Sequence, residues 1–146
     1  MIDDEKYDLF IGVYPNDTET VAKVKLLEKA YPHVHGVINV KPGPTTKGQN
    51  LNHVIREIND YAESNGFEFD AFHMQDSEDM LHPQILRVVN LYLERHDFIQ
   101  TPVFSQKRKY GELIAGSYAD EFAESHLKNL LVRAEMKASI PSAGVG

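Results

Sequence analysis

Short apolar segments alternate with longer amphipathic segments through the first half of the chain. The apolar runs suit strands covered on both faces, and they lie at residues 7–14, 34–40 and 69–75. Between them, apolar side chains recur at helical spacing. This spacing predicts one helix over residues 18–31 and a second that begins near Lys47 and is closed by Gly66.

The second half of the chain continues the alternation less regularly. Pro83 is typical of a helix start and predicts a helix to about residue 94. Residues 98–104 are predicted as a fourth, shorter strand, interrupted by Pro102. Helical spacing then runs from residue 111 to 137, and we expect a break near Gly116.

Strands and helices in alternation, joined by short connections, predict an α/β protein with a mostly parallel sheet. The fold class expected is a three-layer α/β/α arrangement in a single domain over residues 1–146. In such sheets ligands bind outside the carboxyl ends of the strands. One edge should therefore gather the segments that follow the first three strands, which are residues 14–17, 41–52 and 76–82.

Composition narrows the set of partners. The formal net charge is −7, from 15 basic and 22 acidic residues, which argues against nucleic acid as a partner. The chain has no cysteine, so disulfides and cysteine-based zinc sites are excluded. No apolar run is long enough to span a membrane, and the acidic start does not resemble a signal peptide.

Three carboxylates follow the third predicted strand within four residues: Asp76, Glu78 and Asp79. Such groups repel one another unless a cation or good solvation relieves them. Magnesium and manganese take one or two protein carboxylates and fill the other positions with water and phosphate oxygens. The alternative is a solvated acidic loop at the positive end of the helix that follows. His82, close to the carboxylates, is a candidate contact for a sugar or phosphate or a loop-packing residue.

A second candidate segment spans residues 42–52, where a proline- and glycine-rich loop leads into a helix. The free amides of a helix start, together with Lys47, suit a phosphate or a nucleoside edge. The alternative is an ordinary capped helix that carries a surface lysine.

The order of these segments resembles glycosyltransferase family 2, which has a GT-A fold. Residues 47–52 (KGQNLN) are one form of the family's K-[AG]-x-x-L-N motif, and residues 76–83 (DSEDMLHP) are similar to its D-A-D-D-x-x-x-P motif. Further segments resemble a narrower branch, the bacterial inner-membrane glycosyltransferases of the phage-adsorption protein B type. These segments are residues 14–17, 40–45 and 116–124.

The resemblance implies roles for individual residues. Asp76 and Glu78 would lie at the donor's diphosphate and at a divalent cation, Mg²⁺ or Mn²⁺, while Asp79 and His82 would support that loop. Lys47 would border the nucleotide pocket. Tyr14 and Asn16 stand where the family usually has an Asp pair, one of which contacts the base, and are therefore candidate nucleotide contacts.

The resemblance also implies that residues 1–146 form a partial domain. The family's first strand would precede Tyr7, and its catalytic base lies in a Thr-Glu-Asp-like motif expected beyond Gly146. We therefore expect the isolated chain to be soluble and inactive. Membrane contact is expected only through other segments of a parent protein at the cytoplasmic face of the bacterial inner membrane.

The function that the resemblance implies is inverting transfer of a sugar from a UDP-sugar to a growing glycan. Two alternatives stay open from the sequence. The first is a non-catalytic binding or regulatory module with a GT-A-like fold. The second is an unrelated metal-dependent nucleotidyl or phosphoryl transferase that uses the same carboxylates. We also expect self-association, because a sheet without the family's first strand would expose an edge or core surface.

Overall fold

The computed structural model describes residues 6–106, 111 and 113–142. The chain divides after Asp70 into two compact units. We call residues 6–70 the amino-terminal unit and the described residues from 71 to 142 the carboxy-terminal unit.

Two strands and two helices alternate in the amino-terminal unit, as predicted. They are β1 (Leu9–Val13), α1 (Thr18–Ala30), β2 (Val34–Ile38) and α2 (Lys47–Asn65). Asp17 caps the first helix by accepting from the Thr20 backbone N–H, and Gly66 ends the second in a left-handed conformation, with φ of 72°.

The two strands pair in parallel, and their register aligns Phe10 with His35 and Gly12 with Val37. Paired residues in a parallel ladder point to the same face. A Cβ placed on Gly12 would lie 2.7 Å from Val54 of α2, so this face of the sheet carries α2. A Cβ placed on Gly36, on the opposite face, would lie 2.6 Å from Val24 of α1. The amino-terminal unit therefore has the three layers expected, helix, parallel sheet and helix.

An aromatic cluster fastens the second half of α2 to the sheet. The ring of Phe10 stacks on His35, with centroids 4.7 Å apart, and Tyr61 from α2 lies 4.6 Å from His35 and 5.5 Å from Phe10. The His35 Nε2 also lies 2.7 Å from the Asp8 carboxylate. The rest of the unit's core is aliphatic and small, comprising Val13, Val24, Val34, Val37, Val54 and Ala62.

Helices make up the regular structure described in the carboxy-terminal unit. They are α3 (Ile85–Leu93), α4 (Leu113–Glu124), a π-helical segment (Ser125–Asn129) and α5 (Leu130–Glu135). α4 runs through Gly116 without the break that we expected, and the change of helix type comes at Ser125 instead. None of the helices described is both long and apolar enough to cross a membrane.

The predicted third and fourth strands are absent from the described residues. Residues 69–75 and 98–104 have no ladder partner, so the sheet described has two strands. Phe69 is half-buried through ring contacts with Phe10 and Phe67, at centroid distances of 6.0 and 5.0 Å. The first of these segments is at most half-buried, with Phe72 53% exposed, and Pro102 removes an amide donor from the other.

Replacing Gly12 by alanine is expected to lower the free energy of unfolding by about 1–3 kcal/mol, because the new methyl group would overlap the stiff γ-methyl of Val54. Urea denaturation followed by circular dichroism measures this. Gly48→Ala is the matched control, since nothing lies within 4 Å of its added Cβ and the helix gains up to about 1 kcal/mol in propensity. Equal midpoints for the two variants would show that α2 does not pack on β1 as described.

The acid limit of stability should depend on Asp17. The Thr20 hydroxyl, and after it the Thr20 backbone N–H, donates to this carboxylate and lowers its pKa below the ordinary value of 3.8. A lowered pKa stabilises the fold above 3.8, and that contribution is lost as the pH falls through the folded-state pKa. We expect Asp17→Asn to lose less stability than the wild type between pH 5 and pH 2.5. The loss in Thr20→Val should be intermediate between the two. Identical pH profiles in urea denaturation would contradict this role.

Candidate functional site

The loop over residues 39–46 leads from the carboxyl end of β2 into α2. Thr46 is the N-cap of the helix, and its hydroxyl accepts from the Gln49 backbone N–H at 3.2 Å. Lys47 is therefore the first residue of α2, and its side chain is exposed. This arrangement brings Lys47 and the first amides of the helix to the edge of the sheet at which strands end.

Tyr14 and Asn16, which follow β1, hold this loop from the neighbouring strand. The Asn16 side chain bonds both sides of the Gly43 backbone, accepting from its N–H at 2.5 Å and donating to its carbonyl at 3.1 Å. The Tyr14 hydroxyl lies 2.8 Å from the Thr45 hydroxyl. A Cβ on Gly43 would lie 2.6 Å from the Tyr14 ring, so glycine is needed there for close approach. Two of the three predicted strand-end segments, residues 14–17 and 41–52, thus meet.

A buried polar network at the end of β2 was missed by the sequence reasoning. Asn39 is 6% exposed, and its side chain accepts from the Lys41 backbone N–H at 3.0 Å and donates to the side-chain oxygen (Oδ1) of Asn50 at 3.1 Å. His53 is 7% exposed, and its Nε2 lies 3.1 Å from the Ile38 carbonyl. The signals were present, since Asn39 interrupts an apolar strand and His53 adjoins Val54 in the apolar stripe of α2.

The acidic segment forms a hydrogen-bonded turn in the carboxy-terminal unit. The Asp79 N–H donates to the Asp76 carbonyl, and the Asp79 carboxylate accepts from the Asp76 N–H, both at 3.1 Å. Glu78 is exposed and accepts from the Ser77 hydroxyl at 3.2 Å. The N-cap position of α3 belongs to Gln84 rather than to any of the carboxylates.

His82 lies between the acidic turn and α3. Its Nδ1 accepts from the Gln84 backbone N–H at 3.2 Å, and its carbonyl accepts from the Ile85 N–H at 3.0 Å. His82 therefore shapes the start of α3. Its side chain is exposed, which leaves the ring accessible from solvent.

The carboxylates offer hard oxygen ligands but no complete cage. Among the residues described, no three His, Asp or Glu side chains lie close enough together to hold a metal ion. A cation at Asp76 and Glu78 would therefore take most of its ligands from water or from a bound diphosphate, which is the usual coordination of Mg²⁺ in phosphate sites. The donor set fits a divalent cation that binds together with its phosphate ligand.

His73, three residues before the acidic turn, contributes no positive charge at neutral pH. Burial lowers the pKa of its imidazole below the ordinary value. Its Nε2 lies 2.8 Å from the Gln75 side-chain nitrogen, which can only donate, so Nε2 is the unprotonated acceptor. The charge of the acidic turn is thus not offset by this histidine.

An apolar pocket of about 140 Å³ lies elsewhere in the carboxy-terminal unit and contains none of the predicted site residues. It is lined by Gln100, Pro102, His126, Leu127, Leu130, Leu131, Ala134 and Ile140.

Comparison with known proteins identifies relatives over almost the whole chain. A family model described as glycosyltransferase like family 2 matches residues 2–146. The chain is 40% identical over 145 residues to bacteriophage adsorption protein B of Escherichia coli strain K12, and equally to bacteriophage N4 adsorption protein B of Escherichia coli O157:H7. These matches cover 99% of this chain but 20% of each relative, so the chain spans about one fifth of their length. No solved structure matches it.

Substitutions at Asn16 test how the loop is held. In Asn16→Ala the Gly43 amide proton loses its acceptor, and we expect its hydrogen exchange to accelerate by at least about tenfold. Asn16→Asp keeps the accepting oxygen and should preserve most of the protection. Both variants should fold, since Asn16 is exposed. Unchanged Gly43 exchange in Asn16→Ala, measured by NMR, would rule out this anchor.

Proposed function

Because the chain belongs to glycosyltransferase family 2, we propose that it forms the nucleotide-sugar-binding part of an enzyme that transfers sugar from a UDP-sugar to a growing glycan. The observation that carries this proposal is the junction of β1 and β2. There Tyr14 and Asn16 hold the loop that leads to Lys47 at the carboxyl ends of two parallel strands. This is the edge at which α/β sheets bind ligands.

We propose that Lys47 binds the diphosphate of the donor. It is an exposed cation in the first turn of a 19-residue helix, where the helix dipole also favours negative charge. Tyr14 and Asn16 would border the nucleoside. Their contacts to Thr45 and Gly43 give them a second task, which is to shape the loop that the nucleotide would touch.

The acidic turn of the carboxy-terminal unit is proposed to bind a divalent cation. Asp76 and Glu78 would hold Mg²⁺ or Mn²⁺, and such an ion would neutralise the charge that builds on the departing diphosphate. Asp79 would keep the turn closed through its bond to the Asp76 N–H. His82 would keep the chain between the turn and α3 in place.

The chemistry proposed is inversion at the anomeric carbon. An acceptor hydroxyl attacks that carbon while a carboxylate takes its proton, and Lys47 stabilises the nucleoside diphosphate as it leaves. We propose that this chain supplies the donor-binding side of that reaction, and that transfer takes place at the cytoplasmic face of the inner membrane.

A non-catalytic binding module is the second candidate. Asn16 stands where the family usually has an Asp that contacts the base, yet both of its side-chain polar atoms bind the Gly43 backbone. That observation favours a weaker or altered nucleotide site. Membership of glycosyltransferase family 2 accounts for the same carboxylates. An unrelated nucleotidyl or phosphoryl transferase is therefore not proposed.

Self-association is also proposed for the chain. In the part of the chain that the structure describes, β1 and β2 each have one edge without a paired strand. Open strand edges are ready to pair with another chain.

Calorimetric titration of the chain with UDP tests the nucleotide site. We expect binding that requires Mn²⁺, and a loss of about 10- to 100-fold in affinity in Lys47→Ala, Asp76→Ala and Glu78→Ala, because each removes a charged contact. Lys25→Ala and Asp60→Ala, exposed on α1 and α2, are matched charge controls and should bind as the wild type does.

The outcomes separate the alternatives. Wild-type binding without any dependence on Mn²⁺ would reject the roles of Asp76 and Glu78 but keep that of Lys47. No UDP binding under either condition would contradict the nucleotide site.

A further inference from the structure

The orientation of the Asn39 side chain is fixed by its surroundings. The Lys41 backbone N–H is a donor, so the atom 3.0 Å away must be the Asn39 carbonyl oxygen. The other end of the amide is therefore the NH₂ group, and it donates to the side-chain oxygen of Asn50 at 3.1 Å. Asn39 thus links the chain leaving β2 to the second turn of α2.

His53 makes a second link between the same two elements. The Ile38 carbonyl can only accept, so the His53 Nε2 carries the proton of that 3.1 Å bond. His53 is 7% exposed, and a buried polar side chain of this kind needs a hydrogen-bond partner. Asn50 and His53 are three residues apart and lie on the same face of α2.

β1 supports this link from the other side. A Cβ on Gly12 would lie 3.2 Å from the Asn50 amide nitrogen and 2.7 Å from Val54, so the glycine leaves room for both side chains. Asn50 therefore lies beside Gly12 of β1 and is bonded to Asn39, which follows β2. It lies one turn after Lys47, the first residue of α2.

We propose that Asn39, Asn50 and His53 are positioning residues for Lys47, and that they set the affinity for the diphosphate of the donor without touching it. The proposal rests on the nucleotide-binding function proposed above. It follows from the geometry, because the three side chains join β2 to the first two turns of α2 on the buried side, while Lys47 is exposed on the ligand side. A change in the network would tilt the helix start and displace the ammonium group.

The fixed orientations dictate which conservative substitutions succeed. Asn50→Asp keeps the accepting oxygen and should retain UDP affinity within about twofold. Asn39→Asp keeps the acceptor for Lys41 but replaces the donor with oxygen, so it should lose about 3- to 10-fold in affinity. His53→Phe keeps an aromatic ring but removes the N–H donor, and its UDP affinity should fall by a similar factor. If Asn39 and Asn50 only filled space, Asn39→Asp and Asn50→Asp would change the UDP affinity equally.

A double-mutant cycle separates positioning from a general loss of structure. UDP affinity is measured by calorimetry for the wild type, Asn39→Asp, Lys47→Ala and the double variant, each at a temperature where circular dichroism shows it folded. If Asn39 acts through Lys47, its substitution should cost nothing further in the Lys47→Ala background. Additive losses would overturn the proposal.

A readout on folded proteins avoids dependence on the stability of the network variants. UDP should shift the side-chain amide resonances of Asn39 in the NMR spectrum of the wild type and leave them unshifted in Lys47→Ala, which changes only an exposed side chain. Absence of the shift in the wild type, despite UDP binding, would overturn the positioning role alone. Absence of UDP binding by the wild type would overturn the proposed function together with it.

Discussion

The parallel register of β1 and β2 is the constraint from which the rest of the amino-terminal unit follows. It sends both strands toward the same edge, so the segments after Val13 and Ile38 emerge side by side. It also places Gly12 and Gly36 on opposite faces, where each lets a helix approach to contact distance. Without this pairing, Asn16 could not reach Gly43, and Lys47 would not begin its helix beside β1.

Polar groups at this edge are satisfied by side chains rather than by further strand pairing. The Asn16 side chain accepts from the Gly43 N–H, and the Asn39 side chain accepts from the Lys41 N–H. The His53 ring donates to the Ile38 carbonyl. These bonds hold the backbone at Ile38, Lys41 and Gly43. Buried or half-buried backbone needs such partners, because an unpaired group there costs free energy. The loop is therefore shaped by its neighbours.

Much of the amino-terminal unit could be predicted from the sequence, because its signals are local. Thr46 before α2 and Gly66 after it are capping signals that act within a few residues. Residues 69–75 were misjudged for the opposite reason, since a strand exists only when another strand offers it a ladder. The apolar sequence indicates that Phe69 is partly buried, but it does not indicate which residues cover it.

The candidate site could also be predicted only in part from the sequence. Motif order indicated Lys47 and the acidic turn, and the rule for strand ends brought residues 14–17 and 41–52 together. Asn39 and His53 escaped because an isolated polar residue in an apolar pattern is compatible with many environments. Only the positions of the Lys41 N–H and the Ile38 carbonyl reveal why these two side chains are buried.

The pair of bonds between Asn16 and Gly43 has a consequence for how such a site can change over time. The side chain of Asn16 takes the place of one more residue of strand, since it offers Gly43 the acceptor and the donor that a neighbouring strand would supply. The loop is thus joined at Gly43 and Thr45 to the segment that follows β1. Val40, which is 80% exposed, takes no part in these bonds. Substitutions at Val40 can therefore change the exposed surface of this edge while the backbone underneath keeps its position.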